Sequence, residues 1–141
     1  MHRTLNQILF LCLAALLPAI GSTFLHPKRL SWDPDALQKD ELSLLMVEEW
    51  KEKKILWVDA RSQEEYDREH IPGAVLLNED AWDELVEGAL RDWIPGQPIV
   101  VYCSKRDCQQ SQKVAARLRE VGVSPVYVLK GGWESWLTRN K

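Results

Sequence analysis

The chain has 141 residues, 45% of them hydrophobic and 28% charged, with a formal net charge of −3. That is enough apolar material for one packed domain, too short a chain for two ordinary ones, and not the composition of a disordered chain. Lys and Arg are interleaved with Asp and Glu rather than gathered into a basic stripe, so nucleic acid is not an expected partner.

Residues 1–7 are polar and carry Arg3, residues 8–20 are apolar and uncharged, and Gly21 and Ser22 follow. This is the three-part pattern of a secretory signal. The uncharged run from Ile8 to Leu25 also nears the lower length of a membrane-spanning helix. Residues 1–25 are therefore expected to be a signal peptide or an N-terminal anchor. Residues 26–40, with Pro27, Pro34 and several charges, read as a linker, and residues 41–141 as a single domain. Either reading of the first segment carries the domain out of the cytoplasm, to a periplasmic or other extracytoplasmic location, with membrane contact through residues 8–25.

Along the domain, Glu41–Leu44 reads as a short edge strand, and Met46–Lys53 has the apolar spacing of a helix. Ile55–Val58 is a compact apolar run ending at Asp59, as in a buried parallel strand. Ser62 with Glu65 three residues on is a capping box, starting a helix to Glu69. Ile71-Pro72-Gly73 is a turn, and Ala74–Leu77 a second buried strand. Asn78 or Asp80 is placed to cap a helix running to about Trp93, which Pro95-Gly96 ends. Ile99–Tyr102 is the most apolar strand. Residues 109–121 form an amphipathic helix with Val114, Ala115, Leu118 and Val121 on one face, stopped by Gly122. Val126–Leu129 is a last strand, and Gly131-Gly132 leads into a closing helix through Trp136. Strands alternating with helices imply a parallel sheet covered on both faces, with function at the carboxyl ends of its strands.

Of three cysteines, Cys12 lies in the N-terminal segment, leaving Cys103 and Cys108 in the domain. Two cysteines are no disulfide framework, and His26 and His70 are not spaced to complete a zinc site with them. No metal is expected. Cys103 stands where the strand 99–102 runs into a loop that opens a helix. Backbone N–H groups at a helix start favour negative charge, so they stabilise a thiolate and hold an anionic substrate or transition state. Lys105 and Arg106 add positive charge. The loop Ser104, Lys105, Arg106, Asp107, Cys108 and Gln109 is the expected substrate-binding segment around a nucleophilic Cys103. Opposed to this stands an inert cysteine at a strand end, flanked by solvated loop charges. Ser111 reads as a contact to backbone near the helix start. Six residues after Cys103 stands Gln109 rather than Arg, which disfavours a phosphatase loop of Cys, five residues and Arg.

Three segments in order resemble the rhodanese (sulfurtransferase) family: Asp59-Ala60-Arg61-Ser62-Gln63-Glu64-Glu65-Tyr66 with His70-Ile71-Pro72-Gly73-Ala74; the strand ending Val101-Tyr102-Cys103; and Leu129-Lys130-Gly131-Gly132-Trp133-Glu134-Ser135-Trp136. The resemblance spans about residues 41–138. It implies a three-layer α/β sandwich around a central, mostly parallel five-stranded sheet. It also implies transfer of a sulfane sulfur from a small sulfur-containing anion such as thiosulfate to a thiol or cyanide. Cys103 would carry the sulfur as a persulfide stabilised by backbone N–H groups of the loop, with no cofactor. Asp59 and Arg61 are then expected to be a supporting ion pair near the site, His70 a hydrogen-bonded structural residue, and Trp133 and Trp136 packing residues. The chain departs from the family pattern in its loop. Cys108 stands where an Arg is often seen, and the stretch before Val114-Ala115 is about two residues longer, so a differently shaped pocket is expected. Cys108 also raises a second reading, a resolving thiol in a thiol–disulfide redox protein. A third reading is a non-catalytic rhodanese-like binding module, which a cysteine kept at the site argues against.

Overall fold

A computed structural model describes residues 37–50, 53–105 and 109–140. Residues 1–25, most of the linker, and Arg106, Asp107 and Cys108 lie outside the described residues. Among the described residues no helix is long and apolar enough to cross a membrane.

Five strands, β1 (Glu41–Leu42), β2 (Leu56–Asp59), β3 (Val75–Leu76), β4 (Ile99–Tyr102) and β5 (Val126–Leu129), form one sheet in the order β1-β5-β4-β2-β3. Every pairing between them is parallel. Among the described residues the five helices are α1 (Leu44–Glu48), α2 (Gln63–Arg68), α3 (Trp82–Leu90), α4 (Gln109–Glu120) and α5 (Gly132–Arg139). Side chains alternate across a strand, and β4 makes the consequence plain. Ile99 and Val101 enter a core shared with Leu118 of α4 and Ala89 of α3. Val100 and Tyr102 enter a second core on the opposite face, with Leu44 and Val47 of α1, Ile71, Ala74 and, partly buried, Trp133 and Trp136 of α5. All four β4 side chains are fully buried, each contributing roughly 1.5–3 kcal/mol on that account. Central and covered on both faces, β4 is the most completely buried of the strands, and its carboxyl end delivers Cys103.

Local chemistry moved several boundaries. Ser43 is not strand; its side chain accepts the Met46 N–H and caps α1, which therefore starts at Leu44 rather than Met46. The helix expected from Asn78 or Asp80 starts at Trp82 and ends at Leu90. Asn78 instead accepts the Ala81 N–H through its side-chain oxygen and donates to the Arg61 carbonyl, pinning the chain before the helix. Val121 is not on the buried face of α4 but exposed just past its end. There Gly122, at φ +87°, reverses the chain. Its N–H reaches the Arg119 carbonyl and that of Val123 reaches the Leu118 carbonyl, the paired bonds of a Schellman ending. Val123 is then the residue that packs under Leu118. The capping box of Ser62 and Glu65 is present as expected, and the closing helix runs past Trp136 to Arg139.

Candidate active site

Cys103 follows β4 directly and is 2% exposed. Its carbonyl accepts the Trp133 N–H at 2.7 Å, and the Ser104 carbonyl accepts the Glu134 N–H at 3.3 Å. The first turn of α5 therefore clasps the two residues at the root of the loop. This approach depends on Gly132, which lies at φ +49°; a Cβ there would sit 2.1 Å from the Cys103 carbonyl oxygen. The Gly-Gly pair is thus more than a tight turn. It lets a helix end lie against the backbone of Cys103.

On the other side of the sulfur, Ser111 in the first turn of α4 is 2% exposed. Its hydroxyl donates to Cys103 Sγ at 3.5 Å. The Lys105 carbonyl oxygen lies 3.5 Å from the same sulfur. Ser111 was expected to contact backbone near the helix start; its hydroxyl also reaches Cys103 Sγ. The signal available in sequence was its place at the end of the cysteine loop, but only the packing of α4 beside β4 brings it over Sγ. Cys103 is disulfide-bonded in this structure. The other cysteines of the chain are Cys12 and Cys108.

Beneath the loop is a buried polar network. Arg61 donates to both carboxylate oxygens of Asp59, through Nε at 3.0 and 3.1 Å and through Nη2 at 2.6 Å. Nη2 also donates to the Glu69 carbonyl at 2.7 Å. The Tyr102 hydroxyl donates to Asp59 at 2.7 Å and accepts the Ile71 N–H at 3.1 Å. Burial alone would lower the Arg61 pKa; the hydrogen bond and charge of Asp59 outweigh it and hold the guanidinium above its ordinary value. Burial, with Asp59 alongside, also pushes the Tyr102 phenol well up. Both groups thus keep their protons, and the network is a fixed donor frame rather than an acid–base relay. The guanidinium lies 4.7 Å from the Trp133 ring centroid, so the network supports the same turn of α5 that clasps Cys103.

The expected Asp59–Arg61 pair is formed beside the site. Tyr102 was read only as the end of a strand, yet it joins that pair, because Asp59 and Tyr102 are register partners on neighbouring strands. His70 holds its Nδ1 2.8 Å from the Tyr66 carbonyl and stacks on the Tyr66 ring at 4.0 Å. Trp133 and Trp136 pack against the second core, Trp133 also covering Arg61. Of the expected binding segment, Ser104 is half-buried, and Lys105 and Gln109 are exposed at the loop's two ends. Arg106, Asp107 and Cys108 lie outside the described residues.

Fold and site together define an α/β domain that presents a buried cysteine between a central strand and a helix start. The family profile described as Rhodanese-like domain matches residues 40–139. The chain belongs to that family. It is 37% identical over 93 residues to the thiosulfate sulfurtransferase GlpE of Coxiella burnetii (strain RSA 331 / Henzerling II), covering 64% of this chain and 81% of that protein. The crystal structure of the BH2092 protein from Bacillus halodurans superposes with a TM-score of 0.59 at 28% identity, over 71% of this chain and 72% of that one. A thiosulfate sulfurtransferase from Pseudomonas aeruginosa shares the fold, with a TM-score of 0.57 at 19% identity, over 80% of this chain and 21% of that one.

Proposed function

We propose that the chain is a sulfurtransferase in which Cys103 carries the sulfur. The reduced Cys103 thiolate attacks the outer sulfur of a donor such as thiosulfate. An S–S bond forms at Cys103, the donor's own S–S bond breaks, and sulfite leaves with the electron pair. A thiol or cyanide acceptor then takes the outer sulfur and returns Cys103 to its thiolate. The observation that carries this reading is the Ser111 hydroxyl donating to Sγ of a cysteine at the end of the central strand. A donor aimed at sulfur stabilises a thiolate or persulfide anion. The relationship to a protein named as a thiosulfate sulfurtransferase supports the same reading. On this proposal the domain is exported by its N-terminal segment, which N-terminal sequencing of the protein from fractionated cells tests: recovery in the cytoplasm with residues 1–25 intact and no membrane association overturns it.

The disulfide at Cys103 favours a second reading, a thiol–disulfide redox protein using Cys103 and Cys108. Sulfur transfer from thiosulfate to cyanide, measured for the reduced wild type, Cys103→Ser and Cys108→Ser, separates the two. A sulfurtransferase loses turnover in Cys103→Ser and keeps it in Cys108→Ser. Absence of turnover in the wild type with every sulfane donor tried rejects the first reading.

A further inference from the structure

Glu65 does more than start a helix. Its Oε2 closes the capping box, accepting the Ser62 N–H at 3.5 Å and the Ser62 hydroxyl at 3.3 Å. Its other oxygen, Oε1, accepts the hydroxyl of Ser104 at 2.9 Å, from a residue 39 positions further along the chain. Ser104 immediately follows Cys103.

We infer that Glu65, acting through Ser104, is a positioning residue for Cys103. The inference rests on the reading of Cys103 as the sulfur carrier. The α5 turn already holds the carbonyls of Cys103 and Ser104, but carbonyl bonds leave open how the chain leaves Ser104 toward the exposed Lys105. The Ser104 side chain supplies a further constraint, since its bond to Glu65 ties the root of the loop to α2 as well. A capping box is equally well closed by Gln, so the box does not account for a carboxylate here. The Ser104 bond does, because a hydroxyl donating to an ionised acceptor is stronger than one donating to an amide. The charge is retained: burial would raise the Glu65 pKa, but the bonds from Ser104 and Ser62 and the nearby Arg61 charge hold it below its ordinary value. Ser104 and Glu65 are each only half-buried, so neither is a core residue whose change should collapse the domain.

The test uses the full chain, reduced, as Ser104→Ala, Ser104→Thr, Glu65→Gln and the Ser104→Ala/Glu65→Gln double variant. Sulfur transfer from thiosulfate to cyanide is read as separate kcat and KM. Alkylation of Cys103 by iodoacetamide is followed on its own peptide by mass spectrometry, and Tm is recorded. Ser104→Ala is expected to lower kcat about 10-fold with KM within about 3-fold, as misplacement of a reacting group does. Ser104→Thr, which keeps the hydroxyl, restores kcat to within about 3-fold of wild type. The double variant is no worse than Ser104→Ala alone, because both changes act on the same bond. Wild-type kcat in Ser104→Ala, additive losses in the double variant, or a loss matched by a collapse in Tm overturns the inference. Where the wild type transfers no sulfur, the functional reading fails and alkylation alone decides. A Cys103 rate changed about 3-fold or more in Ser104→Ala upholds positioning, and an unchanged rate rejects it.

Discussion

Replacing Gly132 by alanine strikes at the point where α5 meets the backbone of Cys103. The new Cβ would stand 2.1 Å from the Cys103 carbonyl oxygen and 2.9 Å from its carbon, whereas contacts below 3.0 Å are essentially never seen. The oxygen and the Cβ must therefore separate by about 1 Å or more, since neither belongs to a flexible side chain. That displacement is taken up by the Trp133 N–H bond to the same carbonyl, 2.7 Å long in the wild type. An L residue in the left-handed region costs about 1–2 kcal/mol in addition. A shift of about 1 Å in a reacting group lowers turnover by about 10²-fold. Gly96→Ala is the control: its φ is +86°, yet nothing lies within 4 Å of the Cβ it would gain. It bears the backbone cost without the collision. Sulfur transfer and Tm measured on both variants give the answer. Gly132→Ala should lose about two orders of magnitude in turnover, while Gly96→Ala falls in Tm but turns over normally. Equal turnover in the two variants refutes the argument that the α5 clasp holds Cys103 in its working position.

The buried network makes further predictions. Arg61→Met leaves the fully buried Asp59 carboxylate without its cation, and should destabilise the fold by about 3–5 kcal/mol in denaturant unfolding; a loss below about 1 kcal/mol shows that Asp59 has found another partner. Tyr102→Phe removes one hydroxyl that both donates to Asp59 and accepts from Ile71, and should cost about 1–3 kcal/mol, with no measurable change pointing to a replacing water. Glu65 has a folded pKa below its ordinary 4.5. Its stabilising contribution is complete above that value and is lost as pH falls through the lowered folded value. Tm should therefore fall less steeply in acid for Glu65→Gln than for the wild type, and parallel Tm–pH curves for the two would contradict the assignment.

The parts of the site that lie within one stretch of chain were legible without the fold. Asp59 and Arg61, two residues apart, are paired by a turn; Ser62 and Glu65 form their box within one helical turn; Cys103 follows the most apolar strand and precedes an amphipathic helix. Each of these follows from periodicity, capping or burial, which act over a few residues. The parallel sheet follows in the same way, because short apolar strands separated by helices have few other ways to bury both faces.

What depended on tertiary structure is the set of partners that reach Cys103 from elsewhere. Tyr102 meets Asp59 only because β4 lies beside β2 in a register that makes them neighbours. Ser104 meets Glu65 across 39 positions, and Gly132 lies against the Cys103 carbonyl across a crossover. Ser111 turns from a helix-start residue into a donor to sulfur through the packing of α4 beside β4. Strand order and helix packing are set by the whole domain and leave no local periodicity. Sequence alone thus singled out Cys103 as the candidate residue, while long-range packing decided which of the described groups lie against its backbone and its sulfur.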